Sequence, residues 1–174
     1  MKKILFVLVL GAIMLNANAQ DRVNVIKINP LGLLFGSANA SYERALTAKT
    51  ALQINASITS LSVLSTKYSG FGLGADYKLY WSPSKDAPRG MYVAPGLSFS
   101  SITVDDGSGD KGTGSIFALK GVIGHQWVWN SGFSLDLNGG IAYYLNGDIT
   151  VNGNSYSQFT GIMPALGLSL GYAW

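Results

Sequence analysis

The chain holds one histidine, no cysteine and nine acidic residues, so the material for catalysis is thin. General acid–base chemistry needs a titratable group held close to a reacting proton, and His125 is the sole imidazole. It sits in FALKGVIGHQW on the face that carries Phe117, Leu119, Ile123 and Trp127. That setting predicts a ring resting beside Trp127 among amphipathic aromatics rather than a base in a cleft. No spacing of zinc-ligand type is present. Asp105, Asp106 and Asp110 lie in DDGSGDKGTG, which lacks the regular spacing of a calcium loop; a solvated loop is expected, with weak calcium binding as the alternative. GFGLG (Gly70 to Gly74) resembles a phosphate loop only in composition, and mid-strand glycines more simply make room for side chains opposite. No catalytic residue, no metal site and no cofactor is expected.

Six other charges form a pattern of their own. Lys27, Glu43, Asp76, Lys78, Lys120 and Asp136 each fall on the polar parity of a segment whose alternate residues are large and apolar. If that parity faces a narrow interior, three acids meet three bases there. An isolated charge in such confinement is costly, so pairing is expected, with separate hydration by lumen water as the alternative. Lys27 and Glu43 are expected to be neighbours on a first hairpin, and Asp76, Lys78 and Asp136 to meet across the lower interior.

The elements that would hold these charges are strands. Period-2 alternation marks a strand with two unlike faces. SANASYERAL sets Ala38, Ala40 and Tyr42 against Asn39, Ser41 and Glu43; LQINASIT sets Leu52, Ile54, Ala56 and Ile58 against Gln53, Asn55, Ser57 and Thr59. FGLGADYKLYW, MYVAPGLSFS, FALKGVIGHQW, FSLDLNGGIAYYL and GIMPALGLSLGYAW repeat the pattern. The first strand, Val23 to Leu34, is the least regular, because Pro30 and Gly32 suggest a bulge or bend. The count is eight.

Connections at one end are tight or medium: Thr47 to Lys49, Asn130 to Gly132 and Ser82 to Gly90. At the other end Asp105 to Gly114, Asn146 to Gln158 and the stretch near Leu61 to Ser69 read as longer polar loops. Aromatics sort to the two ends. Tyr42, Tyr80, Trp81, Tyr92, Trp127, Trp129, Phe133, Tyr172 and Trp174 lie at the short-turn end. Phe35, Phe71, Phe99, Phe117, Tyr143, Tyr144 and Phe159 lie at the long-loop end. Tyrosine and tryptophan favour a membrane–water boundary, and girdles separated by roughly ten residues match a tilted strand crossing a bilayer. Trp81, Trp127, Trp129 and Tyr143 are the expected interfacial aromatics.

Composition agrees. Of 174 residues, 48% are apolar and 12% charged, where about a quarter charged is usual for a soluble domain. After the N-terminus no run reaches the roughly 18 apolar residues of a spanning helix. Residues 1–19 read as a cleaved signal peptide: Lys2 and Lys3 precede an apolar run from Ile4 to Leu15, and Ala17-Asn18-Ala19 fits the small-x-small cleavage pattern. Residues 20–174 then form one domain. Without Lys2 and Lys3 the basic residues number 10 against 9 acidic ones, and they form no stripe, so no nucleic-acid partner is expected. The reading is all-β: an eight-stranded antiparallel up-and-down transmembrane β-barrel, exported to an outer membrane.

On these residues the chain resembles small eight-stranded outer-membrane barrels of the OmpA, OmpX and OmpW type. NVIKINPLGLLFGSANASYERAL and FSLDLNGGIAYYLNGD look most like an uncharacterised family of such barrels in Gram-negative bacteria. The resemblance implies that the terminal strand, with Leu166, Leu168, Leu170, Tyr172 and Trp174, carries the signal read by the barrel-assembly machinery. It also implies outer-membrane lipid as the surroundings. The expected function is non-enzymatic, structural or in surface interaction, with a lumen plugged by polar and charged side chains and an extracellular ligand left open. The rivals are a conduit for small apolar solutes, as in the OmpW type, which needs an apolar lumen with a lateral opening, and a lipid-modifying enzyme, which needs a base near the outer leaflet. A soluble exported lipocalin-like barrel would invert the two faces.

Overall fold

Alternating large apolar and small or polar residues disfavour a helix and favour a pleated ribbon with one face to each environment. The chain follows that logic along most of its length in a computed structural model that describes residues 22–34, 36–63, 66–105, 111–145, 148–151, 154–157 and 160–174. Residues 1–19, read from the sequence as a signal peptide, and Phe35, Asp106, Asp110 and Phe159 lie outside the described residues.

The elements are β1 (Asn24–Ile28), α1 (Pro30–Leu34), β2 (Ser37–Thr47), β3 (Thr50–Val63), β4 (Thr66–Tyr80), β5 (Gly90–Asp105), β6 (Lys111–Val128), β7 (Phe133–Leu145), β8 (Asp148–Val151), β9 (Asn154–Ser157) and β10 (Gly161–Ala173). All ten strands belong to one antiparallel sheet. β1 to β7 and β10 close into a ring of eight, each paired with its neighbours, while β8 and β9 form a hairpin laid against the end of β6. Closure is made by β10 on β1, from Val25 opposite Ala173 to Ile28 opposite Leu170. The fold is an eight-stranded antiparallel up-and-down barrel.

The outward parity carries Ile54, Ile58, Phe71, Leu73, Leu97, Phe117, Leu119, Ile123, Ile141 and Leu166, all exposed. The opposite parity carries the buried polar residues, among them Lys27, Glu43, Asp76, Lys78, Gln126, Ser134 and Asp136. The apolar face is thus outermost, the reverse of a lipocalin-like arrangement.

Four expectations about the ends change. Pro30 and Gly32 do not bulge a long first strand; β1 stops at Ile28 and a one-turn helix follows. Asn29 caps it, its Oδ1 accepting the Gly32 N–H at 3.2 Å, with Pro30 in the first helical position where a missing N–H costs nothing. The stretch from Leu61 to Ser69 is not a loop: the β3–β4 ladder runs to Val63 opposite Thr66. Likewise the β5–β6 ladder runs to Asp105 opposite Lys111, and residues 148–157 contain the β8–β9 hairpin. The long-loop end is therefore built largely of extended ladders.

Candidate functional site

Eight strands enclose an interior only just wide enough for side chains, so inward residues of different strands at one height must touch. Near the short-turn end this height is occupied by Lys27 on β1, Glu43 on β2, Gln53 on β3, Lys78 and Tyr80 on β4, Tyr92 on β5, Gln126 on β6 and Asp136 on β7. The four charges and Gln126 are each 2% exposed or less.

The two ammonium groups and two carboxylates alternate. Lys78 Nζ donates to Glu43 Oε2 at 3.0 Å and to Asp136 Oδ2 at 2.7 Å. Lys27 Nζ donates to Asp136 Oδ2 at 2.7 Å and also to Glu43 Oε2. The second oxygen of each acid takes a phenol: Tyr80 donates to Glu43 Oε1 and Tyr92 to Asp136 Oδ1, both at 2.6 Å. Gln126 Oε1 lies 2.6 Å from Lys27 Nζ and 3.1 Å from Lys78 Nζ, and Gln53 Oε1 lies 2.8 Å from Lys27 Nζ, so the three N–H of Lys27 are shared among four acceptors. Lys78 Nζ also lies 4.1 Å from the centre of the Tyr92 ring. Charge balance and saturated acceptors are the conditions under which buried ions are tolerated.

Absent side chains make these reaches possible. Lys27 faces Gly171 across the β1–β10 ladder, and Gly171 faces Ser134 on β7. A Cβ on Gly171 would stand 3.0 Å from Lys27 Cγ and 2.7 Å from Ser134 Oγ, so glycine lets the lysine cross β10 toward Asp136.

Asp76 departs from the expected arrangement. It does not join Lys78 and Asp136 but lies in a second tier, where Lys120 Nζ reaches Asp76 Oδ1 at 2.9 Å and Asn55 Nδ2 donates to Asp76 Oδ2 at 2.8 Å. The cause is register: Asp76 faces Gly96, and Gly96 faces Lys120, so the pair bridges a glycine. A Cβ on Gly96 would collide with the Asp76 carboxylate and stand 2.9 Å from Lys120 Cε. Gln53 joins the tiers by donating to Asn55 Oδ1 at 2.7 Å. At the level of Asp76 and Lys120 the lumen widens into a cavity of about 250 Å³ whose polar wall includes Asn29, Asn39, Ser57, Ser98, Asn138 and Ser169.

The connection between β4 and β5 folds against the lower end. Ala87 N–H bonds to Ala48 O at 2.8 Å, and Lys49 Nζ donates to Ser82 O at 3.0 Å and Lys85 O at 2.9 Å. Ala87 packs with the inward-facing Ala51, Tyr80 and Tyr92, and Pro88 is buried with it.

Tyr80 and Tyr92, counted with the short-turn girdle, are luminal: their rings lie 5.3 Å apart and bond the acids. Tyr80, Tyr92, Gln53 and Gln126 are the cluster members that charge counting passed over; their inward parity was the available signal. Trp81, Trp129 and Tyr143 are exposed on the outer face, and Trp127 is half-buried with its ring 4.1 Å from that of His125. His125 stands with Trp127 on the wall, not in the lumen. Leu170 and Tyr172 lie in the β1–β10 ladder, and Trp174 exchanges backbone bonds with Asn24 at 3.0 and 3.1 Å. Asp105 pairs with Lys111 at 3.1 Å, both on strand ends.

No family model matches the chain, and no curated protein matches it in sequence. Among solved structures it is similar to CarO of Acinetobacter baumannii, with a TM-score of 0.50 and 12% identity over 91% of this chain and 100% of that one. It also matches CarO2 of Acinetobacter baumannii, with a TM-score of 0.45 and 11% identity over 87% of this chain and 97% of that one. At 12% identity the likeness to CarO bears on the fold, and that fold is the closed eight-stranded barrel described above.

Proposed function

We propose that this chain is a non-enzymatic outer-membrane barrel with a plugged lumen, whose role is structural or in surface interaction through the extended ladders at its long-loop end. Membrane placement rests on the apolar outer face, which has no counterpart to pack against among the described residues, and on a ring whose backbone groups are paired between strands along most of its wall. Insertion then depends on the barrel-assembly machinery, with outer-membrane lipid around the wall.

The observation that carries the plug is the ion cluster of Lys27, Glu43, Lys78 and Asp136, spanning the lumen from β1 to β7 with Gln126 and two tyrosines filling the remainder. A conduit for small apolar solutes needs an apolar lumen, whereas the cavity above the cluster mixes small apolar residues such as Ala40, Ala56 and Val122 with amides, hydroxyls and the Asp76–Lys120 pair, and the ion cluster closes it below. A lipid-modifying enzyme needs a base near the outer leaflet, whereas His125 lies on the outer wall near the short-turn end.

The test is electrical. Purified protein in a planar bilayer should give no steady, large single-channel current, and a persistent open conductance refutes the plug. Replacing Asp136 and Glu43 together by alanine should raise the frequency of openings if the cluster is the barrier.

A further inference from the structure

β1 ends at Ile28, opposite Leu170, yet β10 continues for nine more residues, back to Gly161. In β10 the even-numbered residues direct their backbone groups toward β1 and the odd-numbered ones toward β7, as the mutual bonds of Trp174 with Asn24 and the bond from Ala173 N to Gly132 O require. Ile162, Pro164, Leu166 and Leu168 therefore direct theirs at a place where, among the described residues, no strand lies. Pro164 has no N–H to leave unpaired, and proline in a sheet is confined to edges, first positions and irregular points of a ladder. On the other side, β2 is followed up to Asn39, whose carbonyl accepts from Asn29 N at 3.1 Å. Among the described residues the wall between is filled by α1 alone, capped by Asn29 and carrying the exposed Leu31, Leu33 and Leu34.

This discontinuity sits over the polar cavity. Asn29 and Asn39 line the cavity from one side, and Leu166 and Gly167 from the other. Leu166 is 86% exposed on the outer wall, so one residue borders both the lumen and the membrane. Two apolar outer grooves flank α1: one of about 310 Å³ with Ile28, Leu33 and Ile58, which shares Asn29 and Asn39 with the cavity, and one of about 380 Å³ with Leu31, Leu137 and Leu168, which shares Asn138 and Gly167.

We propose that the upper lumen is a binding site for an acyl-chain amphiphile that enters sideways past α1, its polar head in the cavity and its chain in a groove beside the helix. Acceptance by an added strand is disfavoured, because Pro164 interrupts the edge. The head is one that adds no net charge, either zwitterionic or neutral with several hydrogen-bonding groups. The luminal Lys27, Lys78 and Lys120 are already balanced by Glu43, Asp76 and Asp136, and a surplus charge would lack a counterion. The ion cluster below makes this a pocket with a floor rather than a passage. The inference rests on the membrane placement proposed above.

The full chain, refolded and transferred into an anionic amphipol so that no free neutral or zwitterionic single-chain amphiphile competes, is titrated with palmitoyl lysophosphatidylethanolamine and, separately, with glycerophosphoethanolamine, which is the head alone. Bound ligand is counted by native mass spectrometry. Wild type should retain one lysolipid per chain and no head-only ligand. Ala165→Trp, which fills the cavity beside Leu166, and Asn138→Leu, which removes a polar wall group at similar size, should each weaken retention at least tenfold. Leu97→Trp, on the outer face of β5, should leave it unchanged. Each variant is scored only where its heat-modifiable band shows a folded barrel, and the milder Asn138→Leu serves if Ala165→Trp misfolds. Retention by folded variants equal to wild type, or none by wild type, overturns the site. Equal binding of the head alone overturns lateral entry, since the cavity would then fill from water. Failure of wild type to insert into liposomes would instead refute the membrane placement, independently of binding in amphipol.

Discussion

Asp136→Ala is the sharpest perturbation of the lumen. The carboxylate accepts from Lys27 and Lys78, each at 2.7 Å, and from the Tyr92 hydroxyl at 2.6 Å. Its removal leaves two buried ammonium groups facing Glu43 alone, a surplus positive charge among residues 2% exposed or less. Breaking a buried pair by deleting one partner costs about 3–5 kcal/mol, against about 1–3 kcal/mol for a lost neutral hydrogen bond. The charge imbalance therefore decides the outcome, and the folding equilibrium should fall by roughly two to four decades. Urea unfolding of the purified barrel in liposomes, followed by tryptophan fluorescence, reads this directly. Lys111→Ala is the control: its partner is Asp105 at 3.1 Å, its side chain is 66% exposed, and such surface pairs are worth about 0–1 kcal/mol. The double variant Lys27→Met, Asp136→Leu removes one charge of each sign and fills the space with apolar volume. It should be more stable than Asp136→Ala alone, because the remaining Lys78 and Glu43 balance. Equal effects of Asp136→Ala and Lys111→Ala, or a double variant as unstable as the sum of its parts, would refute the reasoning that charge balance holds the lumen together.

Two further outcomes are expected. Deleting Trp174, or replacing it by Asp, should block insertion, seen as loss of the heat-modifiable, protease-resistant band; a wild-type level of that band would end the idea of a terminal assembly signal. Epitope tags within 105–114 or 146–158 should be labelled by antibody on intact cells, whereas tags within 82–90 should need permeabilisation, and the reverse pattern would invert the strand directions in the membrane.

Much of the barrel was legible in single residues. Alternation sorted Leu73, Leu97, Leu119 and Ile141 from Gly74, Ser98, Lys120 and Ala142 without reference to any contact, because a strand has only two faces and one interior must receive one of them. The same parity assigned Glu43, Asp76, Lys78 and Asp136 to one side. The helix at Pro30–Leu34 was missed: Pro30 and Gly32 read as a bulge within a strand, and the Asn29 cap that starts the helix shows only in the structure.

Partner choice was only partly in the sequence, which set Lys27 beside Glu43 and Lys78 with Asp136 but misplaced Asp76. Asp76 and Lys78 lie two residues apart on one face of β4, yet Lys78 reaches Glu43 and Asp136 while Asp76 reaches Lys120. Height in a barrel is set by the stagger of strands around the ring, and a period of two carries no information about stagger. Gly96 and Gly171 matter for the same reason: their value lies in what stands beside them on other strands, Asp76 with Lys120 and Lys27 with Ser134. The break in the wall beside β10 likewise arises between residues far apart in the chain, where β1 ends at Ile28 while its neighbour in the closed ring runs on past Pro164. Local pattern determined which residues face inward; only closure of the ring, which brings distant strands to one height, decided which of them meet.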